Sequence, residues 1–305
     1  MKKEIKNMAA SVRQRLYTRA QETGRRFEEL LQYYAMERFL YRLSKSRYKD
    51  KVILKGALMF VVWDVPRSRA TSDIDFLGRM QNTAGYLEEM VKEICRVDVE
   101  SDGMTFALES IKGGLIKEDD DYHGVRIRFF GYLGQARLNM QIDFGFGDSV
   151  FPHPETIEYP TILDMPRPHL KGYRRETVVA EKFEAMVNLG LLNSRMKDFY
   201  DLWLLAYQFD FDGPTLAKAL TETFTKRKTK IPENPLALSD DFAQNQGKIT
   251  QWSAFIRKSH LDHAPKDLEH VIAPLRIFLL PMIESLAKGK PFNLTWKAPG
   301  PWKHS

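Results

Sequence analysis

The stretch Arg67-Ser68-Arg69-Ala70-Thr71-Ser72-Asp73-Ile74-Asp75, followed by Phe76, decides the fold. From residue 73 onward it alternates carboxylates with bulky apolar side chains. Because side chains alternate faces along a β-strand, Asp73 and Asp75 should point to one side while Ile74 and Phe76 are buried on the other. Two carboxylates this close repel each other, and burying them without a partner is costly. A divalent cation relieves both effects, and Mg²⁺ prefers carboxylate oxygens while leaving room for substrate phosphates.

Upstream, residues 52–60 predict an apolar strand, a tight turn and the start of a helix. The turn is Lys55-Gly56-Ala57. Backbone N–H groups in such a turn, together with a helix N-terminus, form an arrangement that holds phosphate. The two stretches together predict metal-assisted nucleotidyl transfer. For the Asp-Ile-Asp pattern alone, a solvated pair of acids on an edge strand is the structural alternative.

A third carboxylate follows in a predicted hairpin. The strand 124–130 and the strand 136–144 both alternate cleanly, and Gly131 and Gly134 mark the turn between them. Asp143 ends the second alternation and would complete a three-carboxylate site for two metal ions, which stabilise the attacking and leaving oxygens from about 3.5–4 Å apart. A turn cap is the structural alternative for Asp143, and Asp148 competes for the same role. We favour Asp143 because it continues the apolar alternation.

Composition limits the class of protein. With 305 residues, 43% of them hydrophobic and 28% charged, the chain is long enough for one large domain or two lobes. No run of eighteen apolar residues occurs, so we expect no transmembrane helix, and residues 1–6 lack the apolar stretch of a signal peptide. Cys95 is the only cysteine. It therefore forms no intramolecular disulfide, fits a reducing cytoplasm and is expected to be a small buried hydrophobe.

Positive charge is concentrated at the N-terminus. Residues 1–50 contain thirteen Lys/Arg and six Asp/Glu, a local balance of +7 against +6 for the whole chain. A basic face of this kind suits an RNA backbone, and an ordinary solvated helix face explains it equally well. The candidate RNA-binding residues are Arg13, Arg15, Arg19, Arg25 and Arg26. A second basic cluster, 226–230, is a weaker candidate, and the acidic run 118–121 is predicted to be a solvated turn.

Helices dominate the second half of the chain. A proline-rich extended connection follows Asp143, and a non-helical tail begins at Lys288. Earlier, a basic helix over 9–21 should end before Gly24, and a helix over 84–96 should precede short strands near 97–101 and 104–112. The predicted helices of the second half are 175–189, 196–208, 213–224, 238–258 and 266–287.

A second group of charges lies within these predicted helices. Asp198 and Asp201 are three residues apart and therefore neighbours on one helical face, and Lys182 lies in the middle of an apolar helix. Charged groups on buried helices must be paired or must face a ligand. Lys182 can act as a point charge toward a triphosphate, or it can simply form an interhelical ion pair with Asp198 or Asp201. Arg195 and Lys197 are more surface-prone alternatives.

Six stretches in one order carry a resemblance to a known family. They are Tyr34 to Leu43, Leu54-Lys55-Gly56-Ala57-Leu58, Arg69-Ala70-Thr71-Ser72-Asp73-Ile74-Asp75-Phe76, Gln141-Ile142-Asp143-Phe144-Gly145, Ala180-Glu181-Lys182-Phe183, and Ser194-Arg195-Met196-Lys197-Asp198-Phe199-Tyr200-Asp201-Leu202. From about residue 8 to about residue 285, the chain resembles the AbiEii/AbiGii toxin family of nucleotidyltransferases, which are toxins of type IV toxin–antitoxin and phage abortive-infection systems. Two features differ from the family pattern. Ala57 stands where the second position of the family's turn is usually Gly or Ser. Sixteen residues separate Gly56 from Asp73, more than in polymerase-β-like enzymes generally, but lengthening a loop costs little conformational free energy.

The resemblance implies an α/β (α+β) fold. We expect a polymerase-β-like nucleotidyltransferase lobe with a small mixed sheet over 1–165, a helical lobe over 166–287 that completes an active site in the cleft, and an extended tail over 288–305.

The resemblance also implies the reaction and its residues. An NMP would pass from an NTP to an acceptor, expected to be the tRNA 3′ end, and the cell would stop growing. Two Mg²⁺ ions would be held by Asp73, Asp75 and Asp143, and catalysis would involve Lys182, Asp198 and Asp201 as well. The expected nucleotide-binding residues are Lys55, Gly56, Ala57, Arg69, Thr71 and Lys182. A cognate antitoxin is expected, with or without direct contact, and no membrane.

Two other functions remain open from the residues. The same metal site could transfer an NMP or a phosphoryl group to a protein hydroxyl. Alternatively, the chain could be a nucleic-acid-binding or antitoxin-binding protein whose active site has decayed, a reading that Ala57 leaves open and the complete set of carboxylates opposes.

Overall fold

The structure, a computed structural model, describes residues 7–118 and 122–304. Residues 119–121 of the predicted acidic turn therefore lie outside the described residues. The chain divides into two units and passes between them more than once. Unit 1 comprises Met1–Asp64, Ala70–Gly147 and Glu155–Gly172, and unit 2 comprises Val65–Arg69, Asp148–Pro154 and Tyr173–Ser305.

Among the described residues, unit 1 contains a seven-stranded sheet and four helices. Its helices are α1 (Met8–Thr23), α2 (Phe27–Lys45), α3 (Leu58–Val62) and α4 (Ala84–Cys95). Its strands are β1 (Val52–Lys55), β2 (Asp73–Gly78), β3 (Met104–Glu118), β4 (Tyr122–Leu133), β5 (Ala136–Phe146), β6 (Glu155–Glu158) and β7 (His169–Gly172).

The sheet is mixed and has the order β3-β4-β5-β2-β1-β7-β6. The pairs β2–β5 and β1–β7 are parallel, and the other neighbouring pairs are antiparallel. The central strands alternate between a core face and an open face, as the sequence predicts. Ile74 and Phe76 are buried on β2, and Ile142 and Phe144 are buried beside them on β5. The rings of Phe76 and Phe144 stack with centroids 5.6 Å apart, which places Asp73 and Asp75 on the opposite, open face.

Helix α1 begins and ends where local chemistry favours it. The Asn7 side chain accepts a hydrogen bond from the N–H of Ala10 at 3.0 Å, which satisfies one of the exposed N–H groups at the start of α1. Gly24 ends α1 in the left-handed region, with φ 67, where glycine is favoured. Val12, Leu16 and Ala20 are all buried and lie four residues apart. Helix α1 therefore packs against the core through a single apolar stripe on one face.

Unit 2 is mainly helical. Its helices are α5 (Arg175–Leu189), α6 (Met196–Gln208), α7 (Gly213–Lys226), α8 (Asp240–Gln244), α9 (Gln246–Ser259) and α10 (Glu269–Ala287). A small three-stranded sheet is formed by β8 (Phe211–Asp212), β9 (Leu294–Trp296) and β10 (Trp302–His304), in the order β10-β9-β8. The tail predicted to be non-helical supplies two of these strands. The expected combination of a mixed α/β sheet with a helical second half is confirmed.

Three local predictions need correction. No strand forms at 97–101, because the N–H of Val97 donates to the carbonyl of Ile94 and so belongs to the end of α4. The predicted helix 238–258 is two helices, since Asn245 is extended and its side chain accepts from the N–H of Lys248 to begin α9. The proline-rich connection is not simply extended: it contains β6 and β7, which form one edge of the main sheet.

Helix α10 qualifies the expectation about membranes. Among the described residues it is the one helix long and apolar enough to cross a membrane by length and composition, and 39% of its most apolar window is buried within the protein. It contains Pro274 and Pro281, and the carbonyl of Phe278 accepts from the indole N–H of Trp302 at 2.8 Å. Because the core helix of a globular unit has the same composition, α10 is weak evidence for a membrane span.

Candidate active site

Three carboxylates meet on the open face of β2 and β5. The parallel register pairs Asp73 with Gln141 and Asp75 with Asp143. Each of Asp73, Asp75 and Asp143 contributes a carboxylate oxygen to a group whose members all lie within 4.8 Å of one another, and all three side chains are half-buried. Three converging carboxylates form the kind of oxygen donor set that Mg²⁺ binds.

The turn between β1 and α3 packs directly against this group. β1 and β2 are antiparallel, with Lys55 opposite Asp75, and Gly56 has φ 71, a conformation that favours glycine. A Cβ atom on Gly56 would overlap the side chain of Asp75, so only glycine allows this approach. The predicted helix start after the turn is present. However, α3 has only five residues, so its dipole adds little.

Thr71 connects the preceding loop to the same group of carboxylates. Its hydroxyl donates a short hydrogen bond to Asp73, and its backbone N–H donates to the Tyr33 hydroxyl at 3.1 Å. These contacts fix Asp73 at the start of β2. Thr71 is therefore placed beside the carboxylates, where the family resemblance implies a nucleotide-binding residue.

Arg126 is a member of the site that the sequence analysis missed. It lies opposite Asp143 on β4, and its guanidinium donates to both Asp143 oxygens, Nε to Oδ1 at 2.8 Å and Nη2 to Oδ2 at 2.6 Å. This hydrogen bonding with Asp143 raises the pKa of Arg126, and the charges of Asp73 and Asp75 add to the effect. Pairing the two predicted strands of the hairpin in register would have revealed this contact.

Asp148, the competitor of Asp143, is placed elsewhere. It belongs to unit 2, where its Oδ1 accepts from Nε and Nη2 of Arg227 at 3.2 and 3.0 Å, and its side chain is 2% exposed. Arg227 also donates to Glu184 at 2.7 Å. Burial would lower the pKa of Arg227, but the surrounding acids raise it above its ordinary value. Arg227 is thus part of a buried ion-pair network, which weakens the basic cluster 226–230 as a nucleic-acid surface.

The second predicted group of charges forms a buried ion-pair cluster in unit 2. Lys182 Nζ lies 2.6 Å from Asp198 Oδ1 and 2.8 Å from Asp201 Oδ2, and Asp198 is fully buried. Burial alone would lower the pKa of Lys182, but the two carboxylates raise it overall. Burial would likewise raise the pKa of Asp198, yet Lys182 and then Arg195 lower it to about 2. These are the contacts required by the interhelical ion-pair alternative.

Arg69 completes this cluster. Its Nε and Nη2 each donate to Asp201 at 3.0 Å, a bidentate geometry that is among the strongest ion pairs. Two other contacts join the segment 65–69 to α6. The Tyr200 hydroxyl donates to the carbonyl of Arg67 at 2.6 Å, and Gln208 donates to the carbonyl of Pro66 at 3.3 Å. The segment that leads into β2 along the chain is therefore fixed within unit 2, which the sequence did not reveal.

The basic residues of α1 and its following turn are only partly available. Arg19 pairs with Glu22 at 3.1 Å, and Arg25 pairs with Glu29 at 2.6 Å and covers the ring of Tyr33. Arg13 and Arg26 are exposed, and Arg15 is half-buried. Two of the five candidate RNA-binding residues thus have acidic partners close in sequence, which reduces the positive potential of this face.

The fold of this chain is similar to that of solved structures. The solved structure of JHP933 from Helicobacter pylori is similar over 86% of this chain and 94% of its own, with 15% sequence identity and a TM-score of 0.50. A second Helicobacter pylori structure, solved as a candidate nucleotidyltransferase, covers 85% of this chain and 96% of its own, with 14% identity and a TM-score of 0.49. A comparison with curated protein sequences finds no match.

A family model assigns the chain more closely. The model of the nucleotidyl transferase AbiEii toxin, type IV TA system, matches residues 38–274. The chain therefore belongs to the AbiEii nucleotidyltransferase toxin family of type IV toxin–antitoxin systems. This membership confirms the resemblance seen in the sequence, and it implies a nucleotide substrate and a cognate antitoxin.

Proposed function

We propose that this protein transfers a nucleoside monophosphate from an NTP to an RNA acceptor, the 3′ end of tRNA, with Mg²⁺ and with release of pyrophosphate. The observation that carries the proposal is the convergence of Asp73, Asp75 and Asp143 within 4.8 Å on one open sheet face. Family membership supports the transferase chemistry. Growth arrest in the cytoplasm, relieved by the antitoxin, is the cellular outcome that we propose.

The donor set fits the metal. Mg²⁺ takes carboxylate oxygens and keeps positions open for water and substrate phosphates, and Asp73, Asp75 and Asp143 supply half-buried carboxylates without a competing soft ligand. When bound, two such ions would stabilise the attacking and leaving oxygens of an in-line displacement. Asp73 and Asp75 would hold both ions, and Asp143 would share one of them.

The protein's own residues supply positioning. Thr71 orients Asp73, and Gly56 brings the Lys55-Gly56-Ala57 turn against Asp75, so the N–H groups of that turn can bind phosphate oxygens beside the metal ligands. Arg126 holds both oxygens of Asp143. Asp143 would orient the acceptor hydroxyl or accept its proton. Catalysis by such a site rests mainly on positioning and charge stabilisation.

Roles for Arg69, Lys182, Asp198 and Asp201 in triphosphate binding and catalysis stay predictions. Their ion pairs in unit 2 account for these buried charges without any role in chemistry, because Lys182 contacts both aspartates and Arg69 contacts Asp201. Stability and activity of variants separate the two explanations, as set out in the Discussion.

Labelled nucleotides test the proposal directly. Purified protein is incubated with Mg²⁺ and with each NTP labelled at either the α- or the γ-phosphate, together with total cellular RNA or total cellular protein. We expect α-label, and no γ-label, in tRNA, and loss of labelling by at least 1,000-fold in Asp73→Ala or Asp75→Ala, on the order of the effect of removing an essential catalytic group. Asp164→Ala, which removes an exposed acid of unit 1, is the matched control and should remain active.

The other outcomes identify the rivals. Label in protein rather than RNA would assign the acceptor to a protein hydroxyl, and γ-label would indicate phosphoryl transfer. If no NTP labels either acceptor while the protein still binds RNA or the antitoxin, the chain is a binding protein with a decayed site. Equal labelling by wild type and Asp73→Ala would show that the carboxylates have no role in the reaction.

A further inference from the structure

The open face that carries the carboxylates continues across two more strands. On β4, Val125, Ile127 and Phe129 are buried in the core. Their neighbours Arg126, Arg128 and Phe130 therefore lie on the other face, the same face as Asp143. Apart from Arg126, which holds Asp143, this continuation has no part in the metal site described above.

The register arranges these residues in rows across the sheet. Asp73 is opposite Gln141, Gln141 is opposite Arg128, and Arg128 is opposite Lys112 on β3. Because neighbouring strands are about 4.8 Å apart, this row extends about 14 Å from the carboxylates. In the next row, Phe130 is opposite Asn139. A path of polar and basic side chains thus leads away from the metal site along the surface of unit 1.

The path lies in a groove. An open cavity of about 1020 Å³ follows β3, β4 and β5, and its lining includes Lys112, Arg126, Arg128, Phe130 and Gln141. The cavity is open and is lined by residues of three adjacent strands, so it can accommodate an extended ligand.

The charges in the groove favour an anionic ligand. Lys112 and Arg128 are exposed, and Arg128 Nε donates to the neutral Gln141 at 3.3 Å. Glu109 is the acidic side chain among the described lining residues. Arg126 is held by Asp143, so Lys112 and Arg128 are the cations that can contact a ligand beyond the metal site.

A planar platform lies beside these cations. The guanidinium of Arg137 lies over the ring of Phe130, 4.9 Å from its centroid. Unpaired nucleic-acid bases stack on aromatic rings and on guanidinium planes. Asn139 and Gln141, which line the same groove, offer amide groups that hydrogen-bond to base edges. An acidic peptide would use the cations but not the platform.

We propose that this groove binds the single-stranded end of the acceptor polynucleotide, with its phosphates against Lys112 and Arg128 and a base against the Phe130–Arg137 pair. The terminal nucleotide then lies toward Asp143, at the carboxylate end of the row. This inference rests on the proposed function, because it assigns the acceptor of that reaction to a surface of unit 1 other than the α1 face.

A charge-reversal pair tests the groove. We would measure binding of a 5′-fluorescein single-stranded RNA 12-mer with a free 3′-hydroxyl by fluorescence anisotropy over a range of salt. Lys112→Glu/Arg128→Glu should weaken binding at least tenfold and reduce the slope of log K against log salt by about 1.4, since single strands lose about 0.7 per phosphate contact. Binding of labelled NTP by the same variant should be unchanged.

Two further variants make the test specific. Lys49→Glu/Lys51→Glu reverses two exposed charges of unit 1 outside the groove, and it should bind RNA like the wild type. Phe130→Leu keeps an apolar side chain but removes the plane, and it should weaken binding about tenfold, within the range measured for loss of one base stack. Melting temperatures of all variants establish that they are folded.

The outcomes separate this inference from the proposed function. If the groove variants bind the 12-mer as tightly as the wild type, or if reversing Arg13, Arg15 and Arg26 removes binding instead, the groove is not the acceptor site, although nucleotidyl transfer stands. If the wild type binds the 12-mer through the groove but transfers no label to any RNA, the proposed function fails and the RNA-binding groove stands. Label transfer to protein with no RNA binding overturns both.

Discussion

Asp75 and Asp143 face each other as register partners on the parallel strands β2 and β5. Few pairings could bring together two acids so far apart in the chain, because a slip of one residue would turn one of them into the core. The stacked rings of Phe76 and Phe144, the next residues on the two strands, oppose such a slip. The packing of the core face thus fixes the geometry of the open face.

Asp143 and Asp148 should respond to substitution in different ways. Asp143→Asn should reduce nucleotidyl transfer by at least 100-fold with little change in melting temperature, because Asp143 is half-buried and belongs to the carboxylate group. Asp148→Asn should instead lower the free energy of unfolding by about 1–3 kcal/mol, because Asp148 is a buried carboxylate that pairs with the half-buried Arg227. Label transfer and thermal melts of both variants check this prediction. Loss of activity in Asp148→Asn at unchanged stability would contradict it.

Gly56 should be essential for activity, for a reason beyond backbone strain. Both Gly56 and Gly24 have positive φ. Replacing either one by alanine should therefore lower the free energy of unfolding by about 1–2 kcal/mol. Only at Gly56 would the added methyl group overlap Asp75, whereas the space around Gly24 is open. We therefore expect Gly56→Ala to lower the melting temperature at least as much as Gly24→Ala, and we expect about 100-fold lower activity for Gly56→Ala alone, the effect of a displaced catalytic group. Equal activity of the two variants would argue against this close contact.

The cluster around Lys182 should be important for stability. Lys182→Met removes one of the cations that pair with the buried Asp198 and Asp201. Removing one partner of a buried ion pair lowers the free energy of unfolding by about 3–5 kcal/mol. Lys197→Met, which removes an exposed lysine of α6, should change stability by less than about 0.5 kcal/mol. Urea unfolding measures both. If Lys182→Met is as stable as its control yet inactive, Lys182 has a direct role in chemistry and the structural explanation is wrong.

Acid should weaken the same cluster. The pKa of Asp198 is lowered to about 2 in the folded protein from a usual 3.8, so its charge stabilises the fold above pH 3.8, and this contribution is lost as the pH falls through 3.8 toward 2. The difference between these two pKa values corresponds to a contribution of roughly 2 kcal/mol to the free energy of unfolding. Urea unfolding between pH 5 and pH 2.5 should show a shallower decline for Asp198→Asn than for the wild type. Parallel declines would show that another group controls the acid response.

Cys95 should be unreactive in the folded protein. The structure leaves Cys95 half-buried against the core rather than fully buried as expected. Even so, burial raises the pKa of its thiol to about 12, against the smaller opposing effect of Arg42 and Arg96, and the thiolate is the reactive form. At pH 8, iodoacetamide should modify the native protein far more slowly than the protein in 6 M urea. Since Cys95 is the only cysteine, all labelling is at this residue. Rapid labelling without denaturant would contradict this prediction.

Several features could be predicted from the sequence because they depend on neighbouring residues. The alternation of Asp73, Ile74, Asp75 and Phe76 predicts a strand with both acids on one face, and the structure has this arrangement. The helices 175–189 and 196–208 were predicted with the bounds that the structure gives. Motifs in a fixed order were sufficient for the family, which the family model confirms over residues 38–274.

Other features depend on which distant segments meet. Arg126 reaches Asp143 through the register of β4 and β5, Asp148 is instead paired with Arg227, and Arg69 is bound by Asp201. Pairing the hairpin strands in register would have revealed the first of these contacts, but nothing in the local sequence distinguishes the partners of Asp148 and Arg69 from other nearby charges. The sequence by itself determined the strand that carries two carboxylates and the chemistry that they suit. Only the tertiary structure decided which third carboxylate joins them and which cations hold it, because strand register and burial depend on the packing of the whole core.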